Sequence, residues 1–272
     1  MDRELHDHSL IIFETVKDYL LQEGINHKKV IRVNEKGRPI REFNIKAEKL
    51  VLNYLGERFP FPVKIFSEES GLIKFKRGKP SFLVLLDPVD GSWNFEHNIP
   101  FVGFSMAFFE YKESANSFKD IYSGILGSVF TGDTIYVEKG EEVLFNDKPL
   151  SPLPSPSLKK SSIVLPITSL PSKKVKYLSN LLQEVKVVRN FGSCVVEMMQ
   201  VILGNLDALV DIRNKLSVES FAAGLLAFQE LGGVVTDLSG KEIERLEPFS
   251  PDYNIIATRT TDLNEEIIKV LK

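Results

Sequence analysis

A layered α/β fold is predicted by three features of the chain. Short β-branched runs alternate with helical periodicities after residue 157, a strand-rich stretch precedes residue 150, and a fully apolar run, Phe82 to Leu86, ends abruptly at a carboxylate. Between the two regions Ser151-Pro152-Leu153-Pro154-Ser155-Pro156-Ser157 spaces three prolines with small residues, which suits an extended connector rather than the interior of a sheet or helix. The expected organisation is an α+β half over 1–150 and an α/β half over 151–272.

Taken in order, Leu5, Ile12, Phe13, Val16, Tyr19 and Leu20 recur at helical spacing and stop near Gly24. A second helix is expected from Asn44, a good N-cap, with Ala47, Leu50, Val51, Tyr54 and Leu55 facing the core. Val63 to Phe66 and Phe82 to Leu86 read as buried strands, followed by Val102–Phe109, Ile121–Phe130 and Thr134–Glu138 around the Thr131-Gly132-Asp133 turn. Val143–Phe145 and the Asn146-Asp147-Lys148 turn close this region. Beyond the connector come Ile163–Leu165, a helix from about Ser172, Val185–Val188, a helix from Ser193, Leu206–Ile212, a helix over Ser217–Leu231, and strands near Val234 and Ile255.

The chain's 272 residues, 43% of them hydrophobic, are ample for a large core in one domain or two packed ones. Thirty-four basic and 37 acidic residues are interspersed, with a formal charge of −3, so no field favours nucleic acid or a membrane surface. A single cysteine excludes an intrachain disulfide framework, and neither it nor the four histidines have zinc-ligand spacing. The amino terminus lacks a signal-peptide pattern and no apolar run is long enough to span a bilayer, so a cytoplasmic location is expected.

The chemistry concentrates at Asp87-Pro88-Val89-Asp90-Gly91-Ser92-Trp93-Asn94-Phe95. Two carboxylates lie at a strand end, where ligands collect in open α/β sheets, on a loop that Pro88 and Gly91 bend. Upstream, Ser67-Glu68-Glu69-Ser70 follows another strand, so carboxylates from two strand ends can share a hard cation such as Mg²⁺, which takes oxygen ligands and completes its shell with water and phosphate. An ordinary Asp-Pro turn beside a solvated Glu-Glu loop would give the same spacing. Asn44, Ser92 and Ser193 can each start a helix, either as plain N-caps or as N-termini turned on a phosphate. Asp211 and Arg213, beyond a predicted strand, suit either substrate contact or a surface ion pair. Trp93 and Phe95 are expected to pack and stiffen the loop rather than to form a stacking platform for a sugar. Cys194 is expected to be small and buried at a helix start, a position that can lower a thiol pKa.

These residues resemble the inositol monophosphatase family of Mg²⁺-dependent sugar phosphatases. Ser67-Glu68-Glu69-Ser70 resembles its Gly-Glu-Glu-Ser element, and Asp87 to Phe95 its Asp-Pro-(Ile/Leu/Val)-Asp-Gly-Thr-x-Asn-Phe signature. Ile99-Pro100-Phe101 is similar to its continuation, Gly192-Ser193-Cys194 to its Gly-Ser/Thr-Ala turn, and Ala222-Ala223-Gly224 through Asp237 to its C-terminal signature. Leu206 to Arg213 looks closest to the archaeal branch. The resemblance implies an αβαβα sandwich with the site between its halves, a small phosphorylated substrate and a homodimer. It further implies that Glu68, Asp87 and the Val89 carbonyl hold one metal, that Asp87 and Asp90 reach a second, and that Ser92 orients the attacking water. Asp90, Gly91, Ser92, Gly192, Ser193, Cys194, Asp211, Arg213 and Ser220 are the residues expected at the substrate.

The chain departs from that pattern twice. Ser220 stands where the family carries an Asp for the second metal, and a neutral hydroxyl is a weaker partner for Mg²⁺. Adjacent Glu219 projects roughly 100° away on a helix. Asn44 stands where most members carry an Asp that accepts a hydrogen bond from the hydroxyl matched by Ser92, and an amide cannot take that proton. One firm Mg²⁺ site and a weak second are therefore expected. The function expected is metal-activated hydrolysis of a polyol or sugar phosphate of the inositol phosphate or fructose bisphosphate class. The alternative is a degenerate member that binds a phosphorylated ligand or a partner without turnover. The Lys74-Phe75-Lys76-Arg77-Gly78-Lys79 run reads as an exposed turn without a carboxylate.

Overall fold

A computed structural model describes residues 3–33, 37, 39–74, 78–113, 117–244, 246 and 253–272. Phe75, Lys76 and Arg77 of the expected basic turn lie outside the described residues.

The amino-terminal half runs α1 (Arg3–Gln22), β1 (Val30–Val33), β2 (Pro39–Arg41), α2 (Glu42–Glu57), β3 (Val63–Ser67), β4 (Gly71–Lys74), β5 (Phe82–Asp90), α3 (Ser92–Glu96), β6 (Gly103–Glu110), β7 (Ile121–Ser128), β8 (Thr134–Glu138), β9 (Leu144–Phe145) and β10 (Lys148–Pro149). Residues 151–157, the proline-rich break, carry no helix or strand. The chain continues through β11 (Ser162–Val164), α4 (Val175–Glu184), β12 (Val187–Arg189), α5 (Cys194–Ile202), β13 (Ala208–Leu216), α6 (Val218–Glu230), β14 (Val234–Thr236), β15 (Tyr253–Thr258) and α7 (Thr261–Leu271).

Five layers result. An eight-stranded sheet is ordered β10-β9-β8-β7-β6-β5-β3-β4, and a five-stranded sheet β12-β11-β13-β15-β14. The uninterrupted apolar run of β5 follows from burial on both faces, because side chains two apart along a strand share a face. Val84 and Leu86 meet Phe13, Val51 and Leu55 of α1 and α2, while Leu83 and Leu85 share the opposite core with Val195, Met198, Phe221 and Leu225 of α5 and α6. The second sheet divides likewise. Val164 and Leu209 turn toward α5 and α6, whereas Ile163 and Val210 pack with Leu178, Leu181, Ile267 and Leu271 of α4 and α7. This is the expected αβαβα sandwich. Among the described residues no helix is long and apolar enough to cross a membrane.

Several boundaries differ from expectation. The second helix starts at Glu42, not Asn44, because Asn44 serves inside the first turn, its Oδ1 accepting the Arg41 N–H at 3.2 Å. β5 continues through Asp90, its pairing with β6 shifting register between Asp87 and Asp90, so the acidic pair sits on an irregular strand rather than a free loop. β7 ends at Ser128, β12 occupies Val187–Arg189, and a 3₁₀ turn over Ser172–Lys174 precedes α4. The β1–β2 hairpin, β4 and α7 have no counterpart in the sequence reading.

Candidate active site

Parallel pairing of β3 with β5 sets Ser67 opposite Leu86, so Glu68 and Asp87 leave the same end of neighbouring strands. The Glu68 N–H donates to the Leu86 carbonyl at 3.2 Å, which continues the ladder one residue further. Behind this turn the buried Glu48 of α2 accepts the Ser70 N–H at 3.1 Å and the Ser70 hydroxyl. After Asp90 the backbone reverses at Gly91, with φ of +91°, where a Cβ would lie 2.9 Å from the Phe101 carbonyl oxygen. Only glycine fits that turn without strain. Asn94 then donates through Nδ2 to the Phe101 and Phe191 carbonyls, both at 2.7 Å, tying the acidic segment to the loop before α5.

Asn44 and Ser92 come together as expected, with a definite polarity. The Arg41 N–H can only donate, so it fixes Asn44 Oδ1 as the acceptor and leaves Nδ2 to donate to Ser92 Oγ at 2.7 Å. The Ser92 hydroxyl therefore sends its own proton to the Val89 carbonyl, at 2.9 Å. An Asp at position 44 would still accept the Arg41 N–H but would reverse the bond to Ser92, accepting the hydroxyl proton instead of donating to it.

Asp90 is anchored just as firmly. Its Oδ2 accepts the Ser193 hydroxyl and the Val195 N–H, both at 2.7 Å, so it sits on the positive end of α5. Ser193 is the N-cap of α5 as expected, and accepts the Val196 N–H at 3.3 Å. The free N–H groups that a phosphate would seek there are thus partly taken by Asp90. Glu197, buried on the same helix, accepts the N–H groups of Phe191 and Gly192 at 2.7 and 3.0 Å, and burial pushes its carboxyl up to about 7.

Asp87 lies beneath the surface, 1% exposed. Burial, with the carboxylates of Glu68 and Asp90 beside it, holds its carboxyl well above the usual range, against the opposing hydrogen bond from Ser220 Oγ at 2.6 Å. Glu219 is buried next to Ser220 and adds to the same negative field. Cys194 is buried as expected, but burial and the nearby Asp90 and Glu197 carboxylates raise its thiol pKa rather than lower it.

Crowded carboxylates and a backbone carbonyl are hard oxygen donors, so in kind they fit a divalent cation. Among the described residues, however, no three Asp, Glu, His or Cys side chains stand in a ready-made metal cage. The donors thus suit an open site completed by water and substrate, as Mg²⁺ accepts, rather than an all-protein shell.

Glu68, Val89, Asp90, Gly91, Ser92 and Gly192 line one cleft of about 310 Å³, together with Pro39, Ile40, Arg41, Glu69 and Trp93. Asp211 and Arg213 do not line it. They form a forked ion pair within β13, Arg213 Nη2 to Asp211 Oδ2 at 2.6 Å, with Asp211 buried. A larger groove of about 630 Å³ between β14 and α7 gathers none of the expected site residues.

Sequence reasoning missed Arg41, which pairs with Glu96, and misread Trp93. Phe95 is buried against Phe43, ring centroids 4.6 Å apart, whereas Trp93 is 59% exposed at the cleft. The alternation of one buried and one exposed aromatic two residues apart is set by the short helix α3, whose tight start at Gly91 no propensity reveals.

The model of the inositol monophosphatase family matches residues 10–272. A bifunctional NADP phosphatase/NAD kinase of Methanococcus maripaludis is 31% identical over 245 residues, which cover 85% of this chain but only 42% of that protein. A fructose-1,6-bisphosphatase/inositol-1-monophosphatase of Methanothermobacter thermautotrophicus is 29% identical, with 89% and 87% of the two chains covered. Among solved structures, a Thermotoga maritima IMPase superposes with a TM-score of 0.77 at 26% identity, covering all of this chain and 97% of its own.

Proposed function

The chain belongs to the inositol monophosphatase family, and from that premise we propose that it is a Mg²⁺-dependent phosphomonoesterase acting on a small polyol or sugar phosphate of the inositol phosphate or fructose bisphosphate class. The observation that carries this reading is the buried Asp87 carboxyl, crowded by Glu68 and Asp90, two carboxylates that themselves line the cleft with Gly91 and Ser92. A cation there relieves that crowding.

In this reading Glu68, Asp87 and the Val89 carbonyl hold Mg²⁺, with Asp90 toward a weaker second site. Bound Mg²⁺ would polarise the phosphoryl oxygens and make a neighbouring water a better nucleophile. The chain's own residues prepare the rest. Asn44 fixes the Ser92 hydroxyl, which orients the water, and Ser193 and the Val195 N–H hold Asp90 in place. Gly91 and Gly192 let the substrate approach the backbone, and Ser220 keeps a proton donor on Asp87 where a carboxylate would add charge. Asp211 and Arg213, paired with each other away from the cleft lining, are assigned no substrate contact in this reading. A homodimer is part of the proposal, and sedimentation tests it. The alternative of a binding protein without turnover is not favoured, because similar relatives bear phosphatase names.

The test is phosphate release from inositol 1-phosphate and fructose 1,6-bisphosphate over a Mg²⁺ titration, with Asp87→Asn as the control. Release that needs Mg²⁺ and is lost in the variant is expected. No release from either substrate at any Mg²⁺ concentration refutes the reading.

A further inference from the structure

Ser105 of β6 is fully buried, yet its hydroxyl has no hydrogen-bond partner. An orphan hydroxyl in a protein interior carries a desolvation cost that a methyl group in its place would not. Its position in the sheet indicates the group it can serve. β6 runs between β5 and β7, and Ser105 stands opposite Asp87 on one side and Leu126 on the other. Opposite residues of an antiparallel pair share a face of the sheet, with Cβ atoms about 4.5–5.5 Å apart. Ser105 therefore faces the α6 layer with Ala107 and Leu126, on the side from which Ser220 reaches Asp87. Its same-face neighbours along β6 are Gly103 and Ala107. Of the four positions next to Ser105 in the sheet, only Asp87 carries a polar side chain.

Asp87 has room for that hydroxyl. A carboxylate offers about four acceptor positions. The structure fills two of them, with Ser220 Oγ at 2.6 Å from Oδ2 and the Val89 N–H at a long 3.3 Å from Oδ1. Rotation about the Ser105 Cα–Cβ bond, from one staggered position to another, swings Oγ without moving the strand. Hydrogen bonds on the far side of a metal-binding carboxylate fix its orientation, and affinity for the cation depends on them. Ser220 supplies one such bond from α6, and Ser105 is placed to supply another from β6.

Resting on the phosphatase reading above, we propose that Ser105 is a positioning residue for Asp87, whose hydroxyl turns onto the carboxylate when a divalent cation draws it into place. In the ion-free protein that hydroxyl is a cost, and in the loaded protein it is a bond. Its removal therefore acts with opposite signs in the two states, which the removal of a merely structural hydroxyl does not.

The experiment compares the native protein, Ser105→Ala and Ser123→Ala. Ser123 of β7 is the control: it is equally buried and its hydroxyl also lacks a partner, but it stands opposite Phe108 and Glu138 rather than Asp87. Mg²⁺ alone is titrated into each protein by calorimetry, and urea unfolding in chelator measures ion-free stability. Ser105→Ala should raise the Mg²⁺ dissociation constant about 10- to 100-fold, with a urea midpoint in chelator equal to or above that of the native protein. Ser123→Ala should leave the dissociation constant unchanged. Three results each overturn the positioning role and leave the phosphatase reading in place: unchanged Mg²⁺ affinity in Ser105→Ala, an equal loss in Ser123→Ala, or a lower urea midpoint for Ser105→Ala in chelator. A native protein that takes up no Mg²⁺ overturns both.

Discussion

Replacing Ser220 by Asp supplies the carboxylate that the family resemblance leads one to expect there, and its cost can be worked out from the structure. Ser220 Oγ lies 2.6 Å from Asp87 Oδ2, and both residues are buried. Ser220→Ala removes only that hydrogen bond, worth about 1.5–3 kcal/mol when the acceptor is charged. Ser220→Asp sets a second carboxyl against one already held well above the usual range by burial, Glu68 and Asp90. If both ionise, repulsion at about 4 Å and an effective dielectric near 20 costs roughly 4 kcal/mol. If the new group instead takes a proton, holding a carboxyl of ordinary pKa about 3.9 neutral at pH 7 also costs about 4 kcal/mol. The two routes agree, so metal-free Ser220→Asp should be about 4 kcal/mol less stable at pH 7. The proton-uptake route shrinks by about 1.4 kcal/mol per pH unit on acidification.

Divalent cation offsets much of that cost. A carboxylate that repels Asp87 in the empty site becomes a ligand, so Mg²⁺ at this position should stabilise the variant by about 2.7 kcal/mol at a hundredfold excess over its dissociation constant, and the native protein by less. The assay is urea unfolding of native, Ser220→Ala and Ser220→Asp proteins in chelator and across a Mg²⁺ series. Phosphate release in the same series should rise in Ser220→Asp. Unfolding curves for Ser220→Asp that match Ser220→Ala and ignore Mg²⁺ would refute the reasoning, because they would mean that position 220 faces no cation and no concentrated negative charge.

Glu197 should make stability fall with rising pH: its carboxyl is raised from 4.5 to about 7, so the stability it contributes is complete below about 4.5 and is lost as pH rises through about 7. The change is about 3 kcal/mol, and Glu197→Gln, which keeps an acceptor for the Phe191 and Gly192 N–H groups, should flatten it in urea titrations at several pH values. Gly91→Ala should lose about 1–3 kcal/mol in the same measurement, since φ is +91° and the added Cβ meets the Phe101 carbonyl oxygen. Asn44→Ala strands the buried Arg41 N–H and releases Ser92, so it should cost about 1–3 kcal/mol and lower kcat more than it changes KM, read by steady-state phosphate release.

What was legible in the sequence follows from how local its cause is. β5 could be read because two-sided burial leaves an uninterrupted apolar run, and the layers on either side follow from strand alternation once α1, α2, α5 and α6 exist. The acidic segment was legible as a site through Pro88, Gly91 and the spacing of its carboxylates. Asn44 was misplaced because a residue with one acceptor and one donor looks like an N-cap. Both groups are in fact spent within the turn and across to Ser92, a contact that only the packing of α2 on β5 creates. Trp93 was misread for the same reason. Nothing in an alternating Ser-Trp-Asn-Phe run says which aromatic faces inward until Gly91 sets the start of α3. Ser220 is the extreme case. As a residue in a helix it is unremarkable, and its meaning comes from Asp87, 133 positions away, whose buried carboxylate it donates to. The family resemblance singles out Ser220 in the sequence, but the physical effect of the hydroxyl is readable only as a pair. The hydroxyl lowers the cost of leaving Asp87 without a second cation, and that one contact ties the proposed weakness of a second metal site, the stability of the empty site and the gain expected from Ser220→Asp to a single cause.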